Sequence, residues 1–298
     1  MYKRILIPLD GSKTAEAVLP YARTMARRLD LAVELLGVVD VRALAIEFAD
    51  GRSRLFENMI DETTLSSEAY LKGIASTFPK SKVECTVGNG RPEEVITEKA
   101  GENTTLIAMA THGRSGLNRF LMGSIAEKVL RAASAPILLV RAKEGVNSDG
   151  EATLNSVVVP LDGSELAETV LPSVVGLVRE LDLEVFLLRA YKLSANIYAG
   201  PAYPLRYEEI RTALRDEAQD YLEKKVAELK RLGIAKVSSI TPEGLSADEI
   251  IALGRKLPDN LIAMCTHGRT GVGRWVFGSV TETVVRHSGD PVLIIRAA

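Results

Sequence analysis

The segment MATHGRSGLNRFLMGSIAEKVLRAASAPILLVRA at 109–142 returns as MCTHGRTGVGRWVFGSVTETVVRHSGDPVLIIRA at 264–297, without gaps and with 16 of 34 positions identical. The opening ILIPLDGS at 5–12 returns as VVVPLDGS at 157–164. Two matches in the same order, offset by 155 and 152 residues, exceed the ~20–50-residue period of a solenoid. They mark one domain written twice, and 298 residues suit two domains of about 150. We place the first domain at 1–142, a polar, unpatterned linker at 143–155 and the second domain at 156–298.

Within each half, short apolar runs alternate with helical patterns. The expected strands are 4–9, 32–39, 82–87, 104–110 and 136–141, then 156–161, 184–190, 236–241, 260–265 and 291–296. Near-continuous Val/Ile/Leu runs fit parallel strands buried on both faces. Val18, Ala22, Met25 and Leu29 recur at helical spacing, as do Val170, Val174, Val178 and Leu181, giving each half a crossover helix. A longer helix in the second half carries Ile210, Leu214, Tyr221, Leu222, Val226 and Leu229, with a stop at Gly233. Five strands alternating with four helices imply an α/β, doubly wound domain in each half.

Composition narrows the partners. The net charge is −2 with 26% charged and 46% hydrophobic residues, so no basic field points to nucleic acid or an anionic membrane. No run approaches the ~18 apolar residues of a membrane span, and MYKRILIPLDGS does not read as a signal peptide. Cys85 and Cys265 lie in apolar strand-like segments and read as buried thiols of a reducing compartment. The expectation is a soluble, cytoplasmic protein.

In an open parallel sheet, ligands bind beyond the carboxyl ends of the strands, where strand order reverses. Strand one ends in Pro8-Leu9-Asp10-Gly11-Ser12 and its twin in Pro160-Leu161-Asp162-Gly163-Ser164. Strand four runs into Met109-Ala110-Thr111-His112-Gly113 and its twin into Met264-Cys265-Thr266-His267-Gly268. A Gly/Arg-rich loop follows, then Gly123-Ser124 or Gly278-Ser279 opens a helix. Glycine lets a backbone approach an anion and adopt positive φ, and a helix N-terminus offers N–H groups and the positive end of its dipole. Arg114 and Arg119, repeated as Arg269 and Arg274, add charge, and Asp10 and Asp162 stand where a carboxylate accepts from ribose hydroxyls.

Each feature also has a bland role. Ser124-x-x-Glu127 and Ser279-x-x-Glu282 have capping-box spacing, and Asp10 and Asp162 can cap the first helix. The complete set, present twice in one order, favours the ligand. His112 and His267 lack a nucleophile or paired carboxylate and read as loop-orienting residues. Trp275 and Phe120 read as packing. Walker A and zinc-type patterns are absent from the sequence.

These residues resemble the universal stress protein family over nearly the whole chain. The family's nucleotide-binding members carry G-x2-G-x9-G-[ST]; here the halves read Ala110-x2-Gly113-x9-Gly123-Ser124 and Cys265-x2-Gly268-x9-Gly278-Ser279. Two glycines and the serine match in each, and the first glycine matches in neither. The family's strand-one Asp corresponds to Asp10 and Asp162, and its hydrophobic position near adenine to Val38 and Ala190. Ile125 and Val280, after the motif serine, complete the implied site with Arg114 and Arg269. The Gly-x-Pro turn appears as Gly90-Arg91-Pro92 but as Gly244-Leu245-Ser246 in the second half. The resemblance implies five parallel strands in order 3-2-1-4-5, pairing of the two halves through their last strands as a pseudo-dimer, and room for a further homodimer.

Three functions follow as alternatives. The first is an adenine-nucleotide sensor or switch, holding ATP (or ADP or AMP) with Mg2+ or Mn2+ bridging the phosphates, and better supported in the first half because Cys265 is bulkier than Ala110. The second is a non-nucleotide interaction module, in which 41–66 and 192–206 diverge and AGPAYP at 199–204 overhangs the second site. The third is a slow ATPase, for which the sequence offers no clear base.

Overall fold

The run Arg4-Ile5-Leu6-Ile7-Pro8 has no polar face and is stable only when covered on both sides. In the computed structural model it forms the central strand β1 (Arg4–Pro8), with Ile5, Leu6 and Ile7 fully buried. The structure describes residues 2–43, 53–78, 81–101, 104–111, 122–142, 148–193, 203–266 and 278–296. It divides into two units, Met1–Thr153 and Leu154–Ala298.

In the first unit, β1 is followed by α1 (Lys13–Glu16), α2 (Leu19–Arg28), β2 (Ala32–Val39), α3 (Ser53–Ala75), β3 (Val83–Asn89), α4 (Pro92–Ala100), β4 (Thr105–Ala110), α5 (Ser124–Ala132) and β5 (Ile137–Val140). The strands are parallel in the order β3-β2-β1-β4-β5. That is the doubly wound order, reversing between β1 and β4. One face is covered by α1, α2 and α3, where Arg23 lies 5.3 Å over the Phe78 ring. The other is covered by α4 and α5, which Lys128 and Glu93 join at 2.8 Å.

The second unit repeats this with β6 (Ser156–Pro160), α6 (Glu165–Glu168), α7 (Leu171–Leu181), β7 (Glu184–Leu188), α8 (Tyr203–Arg231), β8 (Val237–Ile240), α9 (Ser246–Lys256), β9 (Asn260–Cys265), α10 (Ser279–His287) and β10 (Val292–Ile295). Its order is β8-β7-β6-β9-β10. Gly233 ends the long helix with φ 87°, as its position in the sequence suggests.

Two sequence expectations are corrected. The first crossover is two helices in each unit rather than one, because Pro20 and Pro172 have no N–H to give Glu16 and Glu168 four residues back; the chain restarts at Leu19 and Leu171. Cys85 is half-buried rather than buried, since β3 is the edge strand and its residues are only partly covered. Within the expected linker, residues 148–152 lie against α2. Arg23 donates to the Ser148 and Gly150 carbonyls at 2.6 and 2.8 Å, Thr24 to Ala152 at 2.7 Å, and Arg27 pairs with Glu151 at 2.6 Å.

Candidate functional site

Pairing of Pro8 with Leu36 and a bond from the Leu9 amide to the Leu36 carbonyl at 2.9 Å carry β1 to the edge of the sheet. There the chain turns. Gly11 takes φ 79°, a left-handed conformation that costs other L-residues about 1–2 kcal/mol. Asp10 Oδ1 accepts from the Ser12 amide at 3.0 Å and its hydroxyl at 2.6 Å, and Ser12 Oγ in turn accepts from the Ala15 amide at 3.1 Å. Ser12, not Asp10, therefore caps α1. The second unit copies the turn, with Gly163 at φ 84° and Asp162 Oδ1 bound by Ser164 at 2.9 and 2.6 Å. Asp162 is not the cap either; Ser164 is.

The helix after strand four begins differently from its sequence reading. Gly123 and Gly278 are the N-cap residues, at ordinary extended φ of −61° and −62°, and among the described residues no side chain caps either helix. Ser124 and Ser279 are first-turn residues, and Glu127 and Glu282 pair with Arg131 and Arg286 one turn on. The capping boxes are thus not formed, because the backbone of glycine occupies the cap. The Gly123 amide bonds to the Thr111 carbonyl at 2.7 Å, fixing the start of α5 beside the end of β4.

Between these parts the first unit encloses a cavity of about 650 Å³, within the ~300–1,000 Å³ of small-molecule sites. Pro8, Leu9, Asp10, Val38, Met109, Ala110, Gly123, Ser124 and Ile125 all line it. Its position, over the carboxyl ends of β1, β2 and β4, is the switch point of the sheet. His112, Gly113, Arg114, Arg119 and Phe120 lie outside the described residues, as do His267, Gly268, Arg269, Arg274 and Trp275 and the segment 199–202.

The sequence reading missed the opposite wall. Helix α3 brings Thr63, Ser66, Ser67 and Tyr70 to the cavity, and Gly37 opens the strand side facing it. Their spacing of three, one and three places the hydroxyls on one helical face, a signal present in the sequence. Tyr70 is held from behind. Its hydroxyl donates to Glu16 Oε1 at 3.3 Å, while Glu16, only 3% exposed, also pairs with Lys13 at 2.7 Å. That carboxylate raises the Lys13 ammonium above its usual pKa.

In the second unit the strand ends repeat. The Leu161 amide bonds to the Leu188 carbonyl at 2.8 Å, and Pro160 pairs with Leu188. Met264 and Cys265 end β9 buried, and Thr169 donates to Cys265 Sγ at 3.3 Å. Ala190 stands two residues beyond Leu188, as Val38 stands beyond Leu36. Gly278, Ser279 and Val280 open α10. Tyr221 donates to Glu168 at 2.8 Å, and burial first and that carboxylate second push its phenol well above its usual pKa.

Comparison with known proteins gives a consistent result. The model of the universal stress protein family matches residues 1–141 and 153–296. A universal stress protein of Methanocaldococcus jannaschii is 30% identical over 148 residues, covering 50% of this chain and 85% of its own. A putative universal stress protein of Staphylococcus aureus is 31% identical over 146 residues, covering 48% and 86%. A crystal structure of a universal stress protein from Archaeoglobus fulgidus aligns over 99% of this chain and 96% of its own, with a TM-score of 0.63 at 23% identity, a likeness of fold.

Proposed function

We propose that this chain, which belongs to the universal stress protein family, holds an adenine nucleotide in its first half and acts in the stress response as a sensor or switch. The observation that carries this is the cavity bounded by Asp10, Val38, Gly123 and Ser124 at the switch point of the sheet. Its parts suit the ligand's parts. Leu36, Val38 and Ile96 offer apolar surface to a base, the Asp10 carboxylate an acceptor for ribose hydroxyls, and the N-terminus of α5 amides for phosphate. Among the described residues no side chain caps that helix, which leaves its first-turn amides to a phosphate oxygen. A divalent ion bridging the phosphates belongs to the same proposal.

A bound nucleotide would stabilise the first half by mass action and alter the surface around the cavity mouth, which is how a switch reports. The finer expectations, pairing of the halves through their last strands and a further homodimer, are also part of the proposal; sedimentation at several concentrations decides the latter.

Calorimetric titration with MgATP tests the central claim. Saturable heat is expected in the wild type and none in Gly123→Arg, whose side chain would enter the cavity. No heat in the wild type up to millimolar ATP rejects the proposal.

A further inference from the structure

We infer that the second half is closed to nucleotide by one side chain, Arg189, so that each chain binds a single nucleotide; this rests on the function proposed for the first half. The two halves can be superposed residue by residue through their own pairings. Pro8 pairs with Leu36 and Pro160 with Leu188, so Gly37 and Arg189 are the same position, one residue further along. Tyr70 and Tyr221 each donate to the equivalent carboxylates Glu16 and Glu168, which makes Ser66 and Glu217 the same position, four residues earlier on α3 and α8.

In the first half, a Cβ on Gly37 would lie 3.5 Å from both Ser67 and Leu71, facing α3, and Ser66, Ser67 and Tyr70 line the cavity there. In the second half that volume is occupied. Arg189 is 9% exposed, its guanidinium carbon lies 5.0 Å from the centroid of the Tyr221 ring, and its NH2 meets Glu217 Oε1 at 2.7 Å. The substitutions form a set. Where the first half has glycine, serine and a tyrosine that lines the cavity, the second has a cation, an anion to pair with it, and the equivalent ring used as a platform for cation–π contact. A side chain paired and stacked in this way is a plug built into the wall. Cys265 in place of Ala110 adds bulk at the same site from β9.

The variant needed for the test is tolerable to the fold, because Glu217 is 61% exposed on its side chain and is solvated when its partner is removed. Stoichiometry of MgATP is measured by calorimetry on the wild type, Arg189→Gly, Gly37→Arg and the double variant. One nucleotide per chain is expected in the wild type, two in Arg189→Gly, none in Gly37→Arg and one in the double variant. Two per chain in the wild type overturns the inference, and a fall to one in Arg189→Gly would then make Arg189 a ligand contact. One per chain in Arg189→Gly also overturns it. No binding in the wild type fails the nucleotide proposal instead; closure is then read from the crystal structure of Arg189→Gly, where a cavity bounded by Asp162, Tyr221 and Cys265 upholds it and a collapsed one rejects it.

Discussion

Ser12 Oγ sits 2.6 Å from Asp10 Oδ1 and 3.1 Å from the Ala15 amide, donating to the first and accepting from the second. One hydroxyl thereby joins the carboxylate at the cavity to the start of α1. Asp10→Ala removes an exposed acceptor of two turn bonds and should cost about 0.5–1.5 kcal/mol, together with at least tenfold in ATP affinity. Ser12→Ala should cost about 1 kcal/mol as a lost cap and change affinity only a few-fold. Urea melts and calorimetry on the pair separate the two roles; equal losses of affinity would show that the turn, not the carboxylate, matters.

The glycines divide into two kinds. Gly11 has φ 79°, so Gly11→Ala should lower stability by about 1–2 kcal/mol. Gly123 has φ −61°, which alanine adopts without strain, so Gly123→Ala should cost only the roughly 0.5–1 kcal/mol by which glycine exceeds alanine at an N-cap. It lines the cavity, so its larger effect should appear in nucleotide affinity. Thermal melting with and without MgATP checks both.

Acid should loosen the contact between α4 and α5. Glu93 accepts from Lys128 at 2.8 Å, and this bond holds its carboxyl below the usual pKa against the opposing effect of burial. A carboxyl depressed in the folded state contributes stability above its unfolded pKa and loses it as pH falls through the folded value. Glu93→Gln should therefore flatten the decline of Tm between about pH 5 and 3, while lowering Tm at neutral pH. A parallel decline in both proteins would count against the pair.

Burial raises the Cys85 thiol above its usual pKa, while Lys72 nearby pulls it down. Alkylation of Cys85 by iodoacetamide should consequently show a midpoint above the ~8.5 of a free cysteine. Lys72→Ala should move the midpoint higher still. Cys265→Ser provides the background, and a midpoint at or below the free value would contradict the burial argument.

Much of the fold was legible because buried parallel strands are written as unbroken apolar runs: Ile5 to Ile7, Leu106 to Ala108 and Val157 to Val159 are all within 1% exposure. The duplication did the rest, since each half vouches for the other. The limits of α3 were not legible, because Thr63, Ser66 and Ser67 interrupt its apolar stripe where it faces the cavity. The caps were misassigned because spacing alone does not say which oxygen turns inward; Ser12 and the Gly123 backbone took the places expected of Asp10 and Ser124. Arg189 escaped notice because an arginine at a strand end ordinarily reads as solvent-facing.

The Arg189 plug also changes what each half requires to be complete. An unfilled hollow lined by hydroxyls must be hydrated or occupied, so the stiffness of the first half is lent to it by whatever enters. The second half brings its own filling from the moment the chain is made and owes nothing to solute levels. A duplicated domain thereby becomes a responsive member joined to an indifferent one, and a change in the first can be registered against a twin that stays the same.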